Sequence, residues 1–476
     1  MRMIRHKICL MMGIGLMCVP GVWAQSQSQD QGQSDSQAQS QGQSQAPIPA
    51  VRPPITTVGG SEEGEPERPL AGGQAFPLGL SEDHSYWQPM ANIVSTATSN
   101  GLGGNQGWTS FSTLIGGLDL RYLNGRSDLT LSYEGGGVVS NDGRVPNAVI
   151  QDLNLVERFY LRRSTLSFVD QTSYLPESAF GYAGLNLNVG TGLFLQPGLS
   201  PNGTVLTTQV RQIDNTSLAA IDTKLNPRSS ITVMGGYSLL HFFGSNLIDS
   251  NATIVQASYN RAITTRNSVS VIYRFKAFRF SNNAQSINDS LAHLSFSRHV
   301  TGRMTFQVQA GPEYATFATP VLTGSGAPGA TGSSRLSWSL GSTLSYQLER
   351  MQLGLSYNHG IAGGGGVFAG SVGDTVRGSV SRNITQRVNG IFSVGYGRNR
   401  DLAPAGSTNP GETFDNYYGV LGVQRRFGRT VRARLSYEAQ YQTSNFSFCA
   451  GPSCGDTVLI HRVFLSLNWQ GRPRGF

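Results

Sequence analysis

The sequence predicts an all-β chain, a transmembrane antiparallel β-barrel of about 18 strands behind a disordered N-terminal tail. Three observations predict it. Apolar and polar residues alternate with period two for stretches of roughly ten residues, the spacing of a strand with one apolar face. Short polar turns alternate with long loops rich in Gly, Asn and Pro. The composition excludes the main alternatives. Of 476 residues, 38% are hydrophobic and 13% charged, with 59 glycines. An ordinary globular domain is roughly 45–50% apolar. Beyond the N-terminus no apolar run approaches the ~18 residues of a membrane helix. The 17 Tyr and 22 Phe are too many for a disordered chain. Abundant Gly, Ser and Thr disfavour a helical enzyme.

The N-terminus reads as a leader and a spacer. Arg2, Arg5 and Lys7 precede an apolar core from Ile8 to Val19, and Val22-Trp23-Ala24 supplies small residues for cleavage. This is the pattern of a secretory signal peptide over residues 1–24. Its removal takes three of the 36 basic residues and leaves 33 − 28 = +5 in place of +8. That mild excess gives no reason to expect nucleic acid. Residues 25–83 form a Gln/Ser-rich and then Pro/Gly-rich tail and linker, expected in the periplasm, and residues 84–476 form the barrel. Cys449 and Cys454 flank a Gly-Pro turn and are expected to form a loop disulfide in an oxidising compartment. Neither a metal site nor a cofactor is expected.

The strand count follows from parity. Short turns lie near Asn124-Gly125, Arg162-Arg163, Asn226-Pro227-Arg228, Thr265-Arg266, Thr301-Gly302, Glu349-Arg350, Thr385-Gln386 and Gly428-Arg429. Long loops are expected near 135–148, 175–208, 244–251, 281–289, 318–334, 359–373, 399–414 and 445–456. Eight turns join sixteen strands. Thr457 to Trp469 adds one more, and Tyr86 to Thr96 must carry the chain to the long-loop side first, although Pro89 interrupts it. The even total suits a bacterial barrel with short periplasmic turns. Each short turn has an arginine nearby: Arg126, Arg163, Arg228, Arg266, Arg303, Arg350, Arg387 and Arg429. Taken singly, these read as solvated turn residues.

Aromatic residues on the apolar parity mark two levels. Tyr133, Tyr237, Tyr273, Tyr357, Tyr396 and Tyr437 fall about 7–10 residues beyond a short turn, while Tyr122, Tyr259, Tyr346 and Trp469 lie close to one. Rings with polar tips at two heights are interface girdles.

The polar parity points into the barrel. It carries Arg158, Arg274, Lys276, Arg377, Arg432, Arg434, Glu438 and Arg462 as a candidate lumen filter, with Asp119, Asp128, Glu134, Gln309, Glu313 and Gln440 among their partners. Arg432, Arg434 and Glu438 share one strand and Arg462 falls on the next, which makes a basic ladder suited to anions or acidic sugars. A charge network bracing the wall is the plainer reading. The loop between 175 and 208, with Phe180, Tyr182, Leu193 and Phe194, is apolar enough to enter the lumen or to extend as a hairpin. No H-E-x-x-H occurs around the histidines His84, His241, His293, His299, His359 and His461, and no enzymatic activity is expected.

From about Tyr86 to Trp469 the chain resembles bacterial outer-membrane β-barrels of porin size. Arg162-Arg163-Ser164-Thr165-Leu166-Ser167, Tyr174-Leu175-Pro176-Glu177-Ser178 and Ser286-Ile287-Asn288-Asp289 are similar to stretches of Gram-negative barrel proteins. The resemblance implies a fold and an outer-membrane location, and no activity. Its implied partners are outer-membrane lipid and the barrel-assembly machinery, with cell-wall or polysaccharide components as further candidates. Such barrels end in an aromatic residue, here Phe476, yet Arg472-Pro473-Arg474-Gly475 breaks the alternation before it. The expected function is a porin-like channel for small polar solutes or a polysaccharide-export pore. The alternatives are a non-conducting structural, adhesion or assembly barrel and, last, a surface hydrolase.

Overall fold

The computed structural model describes residues 84–99, 107–141, 143, 147–175, 211–243, 248–281, 286–322, 328–362, 369–402, 413–445 and 457–476. Among them eighteen long strands run in chain order: β1 (Tyr86–Ser99), β2 (Trp108–Asn124), β3 (Ser127–Ser140), β4 (Ala148–Tyr160), β5 (Ser164–Leu175), β6 (Gln212–Asn226), β7 (Ser229–Phe242), β8 (Ser250–Ala262) and β9 (Asn267–Phe280). Then come β10 (Ser286–Thr301), β11 (Met304–Leu322), β12 (Pro328–Gln347), β13 (Met351–Ala362), β14 (Ser371–Asn383), β15 (Val388–Asp401), β16 (Thr413–Phe427), β17 (Val431–Ser444) and β18 (Thr457–Gln470). A two-residue β19 (Arg474–Gly475) follows.

Each strand pairs antiparallel with its sequence neighbours. The ring closes where β1 pairs β18, from Met90↔Gln470 to Thr98↔Arg462. Closure leaves no unpaired edge, which is what allows β-structure to cross a bilayer. All eight expected short turns connect strands as read. Gly125 and Gly428 hold φ of 49° and 71° in two of them, the left-handed region that glycine enters without steric cost.

Most of the long loops are shorter than expected. Strand pairing extends β3 to Ser140 and starts β10 at Ser286, trimming the 135–148 and 281–289 loops. The 318–334 loop is mostly strand, since β11 and β12 pair from Ala318↔Gly332 to Leu322↔Pro328. Pro320 and Pro328 disguised it, because proline marks a turn in sequence but is tolerated where a ribbon needs no amide donor.

Pro89 has a similar explanation. It lies inside β1, opposite Leu118 of β2. On its other side the ladder breaks between Met90↔Gln470 and Trp87↔Arg474. More residues stand on the C-terminal side than on β1 across this gap, which makes a bulge, and the proline occupies the place where a donor is not required. Beyond it β19 rejoins β1, and Phe476 stacks on Tyr122 with ring centroids 6.2 Å apart. The irregular C-terminus is therefore a continuation of the closing seam.

The outer face carries a broad apolar band. Leu114, Val139, Val233, Val255, Val271, Leu294, Leu355, Phe392, Leu421, Leu435, Leu465 and Leu467 are all exposed on it. The predicted girdle residues Tyr122, Tyr133, Tyr237, Tyr259, Tyr273, Tyr437 and Trp469 are exposed as well. Polar partners steady their tips on the long-loop side. Tyr357 Oη donates to Asp374 at 3.1 Å and Tyr396 Oη to Asp415 at 2.8 Å. His359 Nδ1 lies 2.6 Å from Asp374, and His241 Nδ1 lies 2.7 Å from Asp249.

The expected signal peptide, the 25–83 tail, the 176–208 part of the long loop and the Cys449–Cys454 disulfide lie outside the described residues.

Candidate functional site in the barrel interior

All eight predicted lumen residues take the inward parity, opposite to the exposed apolar set. They do not form one site. The structure distributes them over separate parts of the wall.

On β17 and β18 the register brings four of them close together. Glu438 pairs with Arg462 and Arg434 with Ser466 across the two strands, and Arg432 lies opposite Asn468. Arg462 Nη1 donates to Glu438 Oε1 at 3.0 Å, both side chains being almost fully buried. Arg462 Nε and Nη2 have no acceptor among the described residues. Amides extend the strip, with Gln440 Nε2 donating to Asn416 Oδ1 at 3.2 Å.

Halfway round the ring, Arg274 and Lys276 on β9 belong to a second cluster. Lys276 faces Asp289 of β10, and Arg274 and Glu313 of β11 lie on either side of Leu291. Lys276 Nζ is 3.8 Å from Asp289 Oδ2, and the pair is 2% and 0% exposed. This cluster grips the backbone of another strand. Ile361 N donates to Glu313 Oε2 at 3.0 Å, and Lys276 Nζ donates to Ile361 O at 3.4 Å.

That grip is possible because β13 leaves its neighbour. The β12–β13 ladder stops at Leu340↔His359, while β12 continues with β11 alone and β13 continues with β14 to Ala362↔Ser371. The end of β13 thus leans over the inner face of β11.

Arg158 lies elsewhere, at the short-turn end. Arg121 clasps Asp128 there through Nε and Nη2, both at 3.1 Å, and Arg158 Nη1 is 4.0 Å away from the same carboxylate. Arg377 is on β14, facing Gly395 of β15, over which the Tyr418 ring of β16 also lies.

Sequence reasoning missed Asp289, His293 and Arg121 as interior charges. It also missed how apolar the inner wall is. Phe278, Phe280, Ile287, Phe317, Ile361, Val372 and Leu402 pack together beside the Lys276 cluster. Val156, Val169, Leu218, Met234 and Ile254 form another patch, and Phe111, Val138 and Ile150 a third. Parity alone would have found Asp289, since it shares a face with Ile287 and Leu291. The apolar neighbours on that face hid it, because a strand apolar on both sides has no visible alternation.

Three of the histidines have local partners. His241 and His359 pair with carboxylates on the outer wall, and His461 Nδ1 lies 2.7 Å from Tyr437 Oη. The spacing G-x-S-x-G does occur once, at Gly451-Pro452-Ser453-Cys454-Gly455, in a segment outside the described residues. That spacing has catalytic meaning only on a strand-to-helix turn.

An even, closed ring with short turns, a lipid-type exterior with two girdles and charges held inside defines the class. The chain is an outer-membrane-type β-barrel of porin size.

No protein-family model and no curated protein matches it. Solved structures do. OccK2 (OpdF) of Pseudomonas aeruginosa, crystallised with glucuronate, is 8% identical with a TM-score of 0.43, covering 81% of this chain and 98% of its own. OpdQ of Pseudomonas aeruginosa is 10% identical with a TM-score of 0.41, over 82% and 98%. The unliganded ferric citrate transporter FecA is 9% identical with a TM-score of 0.42, over 80% and 78%. At that level the similarity assigns no residue and no solute to this barrel.

Proposed function

We propose that the barrel is a narrow porin-like channel of the outer membrane for small polar solutes, with anions favoured along the β17–β18 wall. One observation carries this reading. Arg462 is 1% exposed, yet among the described residues only one of its guanidinium nitrogens has a protein acceptor, Glu438. An ionised group inside a membrane is costly unless something polar meets its remaining donors. Water or an anion admitted to them from the interior would meet that need, and Arg434 four residues before Glu438 prolongs the strip.

A second reading has its own support. The apolar packing around Ile361, and the grip of Lys276 and Glu313 on its backbone, favour a barrel closed by its own wall.

Planar-bilayer conductance separates the two. Refolded protein is expected to give steady steps with an anion-selective reversal potential, and Arg462→Gln with Arg434→Gln to move that potential toward cations. Silence from protein whose heat-modifiable gel mobility proves folding would replace the channel by the closed barrel. Export of a polysaccharide would instead require steps that a long acidic oligosaccharide blocks from the short-turn side.

A further inference from the structure

The short-turn rim is strongly basic, and part of that charge faces lipid. Four strands end in the same outward-facing pattern, apolar-x-Arg-x-apolar: Tyr259-x-Arg261-x-Ile263, Phe296-x-Arg298-x-Val300, Val380-x-Arg382-x-Ile384 and Val423-x-Arg425-x-Phe427. Ile263, Val300, Ile384 and Phe427 are exposed hydrophobics, so each arginine sits among groups that belong in a bilayer. A solvated turn arginine would not be bracketed in this way.

The backbone gives each one a basic neighbour. Ala262 N, next to Arg261, donates to Arg228 O of the preceding turn, and His299 N, next to Arg298, donates to Arg266 O, both at 2.8 Å. Asn383 N, next to Arg382, donates to Arg350 O at 2.8 Å, and Arg426 N, next to Arg425, donates to Arg387 O at 2.9 Å. One connection, repeated four times, places a turn arginine one ladder step from a lipid-facing arginine. The turns themselves are fixed. Thr264 Oγ1 accepts from Arg266 N and Asn267 N at 3.2 and 3.0 Å, and Thr385 Oγ1 accepts from Arg387 N and Val388 N at the same distances. Among the described residues, no carboxylate forms an ion pair with any of these eight arginines. Arg425 instead lies over the Phe427 ring, 5.0 Å from its centroid.

Arginines gathered at the edge of an apolar band without carboxylate partners are stabilised by an anion. At that depth, beside the girdle residues Tyr259 and Phe427, the anion at hand is a lipid headgroup. We propose that these lipid-facing arginines, with the turn arginines one step away, are sites for anionic phospholipid headgroups in the leaflet on the short-turn side. The inference rests on the barrel's membrane placement and not on whether it conducts. Guanidinium forks suit phosphate oxygens bidentately, and the bracketing apolar residues receive the acyl chains. A soluble polyanion would find the charges but gain nothing from the apolar brackets.

The test is native mass spectrometry of the full mature chain released from mixed micelles holding equal phosphatidylglycerol and phosphatidylcholine. Retention of phosphatidylglycerol over phosphatidylcholine is expected, falling with added salt. An arginine near an anionic surface is worth about a fivefold preference. Arg261→Gln with Arg298→Gln should therefore lower the ratio strongly, and so should Arg382→Gln with Arg425→Gln, while the matching lysine variants keep most of it. Each pair is scored only in protein that shows heat-modifiable folding, and the two pairs serve as independent replicates. Equal retention of both lipids by the unchanged protein overturns the proposal, as does a preference untouched by both glutamine pairs. A preference that appears only when Glu62, Glu63, Glu65 and Glu67 are changed to glutamine would give the arginines to the chain's own acidic segment and also overturn it.

Discussion

Lys276 of β9 and Asp289 of β10 stand directly opposite each other on the inner wall, Nζ 3.8 Å from Oδ2, with neither side chain reaching solvent. The lysine also holds the carbonyl of Ile361, so one ion pair ties β9 and β10 to the inward-leaning end of β13. Removing one member of such a pair strands the other charge, which costs about 3–5 kcal/mol, whereas replacing both by apolar groups of similar volume is near neutral. Asp289→Asn or Lys276→Met alone should lower the denaturation midpoint of the folded barrel in detergent. The double variant Lys276→Met with Asp289→Leu should recover most of the loss. Additive losses in the double variant would show that the two groups do not act as a pair.

The hold on Ile361 is a second testable contact. Glu313→Gln weakens the acceptor of Ile361 N, and a hydrogen bond to a charged group contributes roughly 1.5–3 kcal/mol. If the end of β13 narrows the lumen, Glu313→Gln should raise single-channel conductance or open-state noise. An unchanged current in a folded variant would remove Ile361 from the conduction path.

Gly311 of β11 has no room for a side chain. A Cβ there would lie 1.8 Å from Ala292 O and 3.1 Å from the His293 Cα, both backbone atoms that cannot yield without parting β10 from β11. Gly311→Ala should therefore fold poorly and lose heat-modifiable mobility. Gly419→Ala, where a Cβ meets nothing within 4 Å, is the control and should fold normally. Equal folding of the two would refute the close approach.

The outer wall makes a depth-dependent prediction. Leu465 is exposed near the middle of β18 and Ile263 is exposed at a turn. An arginine on the lipid face costs about 2–4 kcal/mol at the bilayer midplane and about 0–1 near the interface. Leu465→Arg should reduce folding into vesicles sharply and Ile263→Arg very little. The comparison is read from the folded fraction at equilibrium in urea.

The C-terminal stack offers a milder test. Phe476→Ala loses the contact with Tyr122, an aromatic pair contributing about 0.5–1.5 kcal/mol. A small drop in stability with normal final folding is expected, and complete failure to assemble would show that Phe476 serves recognition rather than packing.

The barrel was legible before any coordinates because its signals are local. A two-residue period, a turn at Asn124-Gly125 or Glu349-Arg350 and the facing of Tyr133 or Leu435 each depend on a few adjacent residues. Parity then counts strands, since a strand must leave the membrane on the side opposite to its entry. The inward facing of Arg434, Glu438 and Arg462 was readable for the same reason, and their adjacency followed because β17 and β18 are neighbours in sequence.

The remaining features join residues distant along the chain. Lys276 and Glu313 meet the backbone of Ile361 only because β13 leaves β12 at Leu340↔His359 and tilts inward. No alternation records such a departure. The apolar packing of Phe278, Ile287, Phe317 and Val372 was equally hidden, because a wall buried on one side and lipid-facing on the other shows no contrast. The bond from Ala262 N to Arg228 O depends on ring order, which puts the end of one hairpin against the turn of the one before. Local pattern settles which way a side chain faces. Closure of the ring settles which other side chain it finds there, because contact energy depends on separation in space and not along the chain.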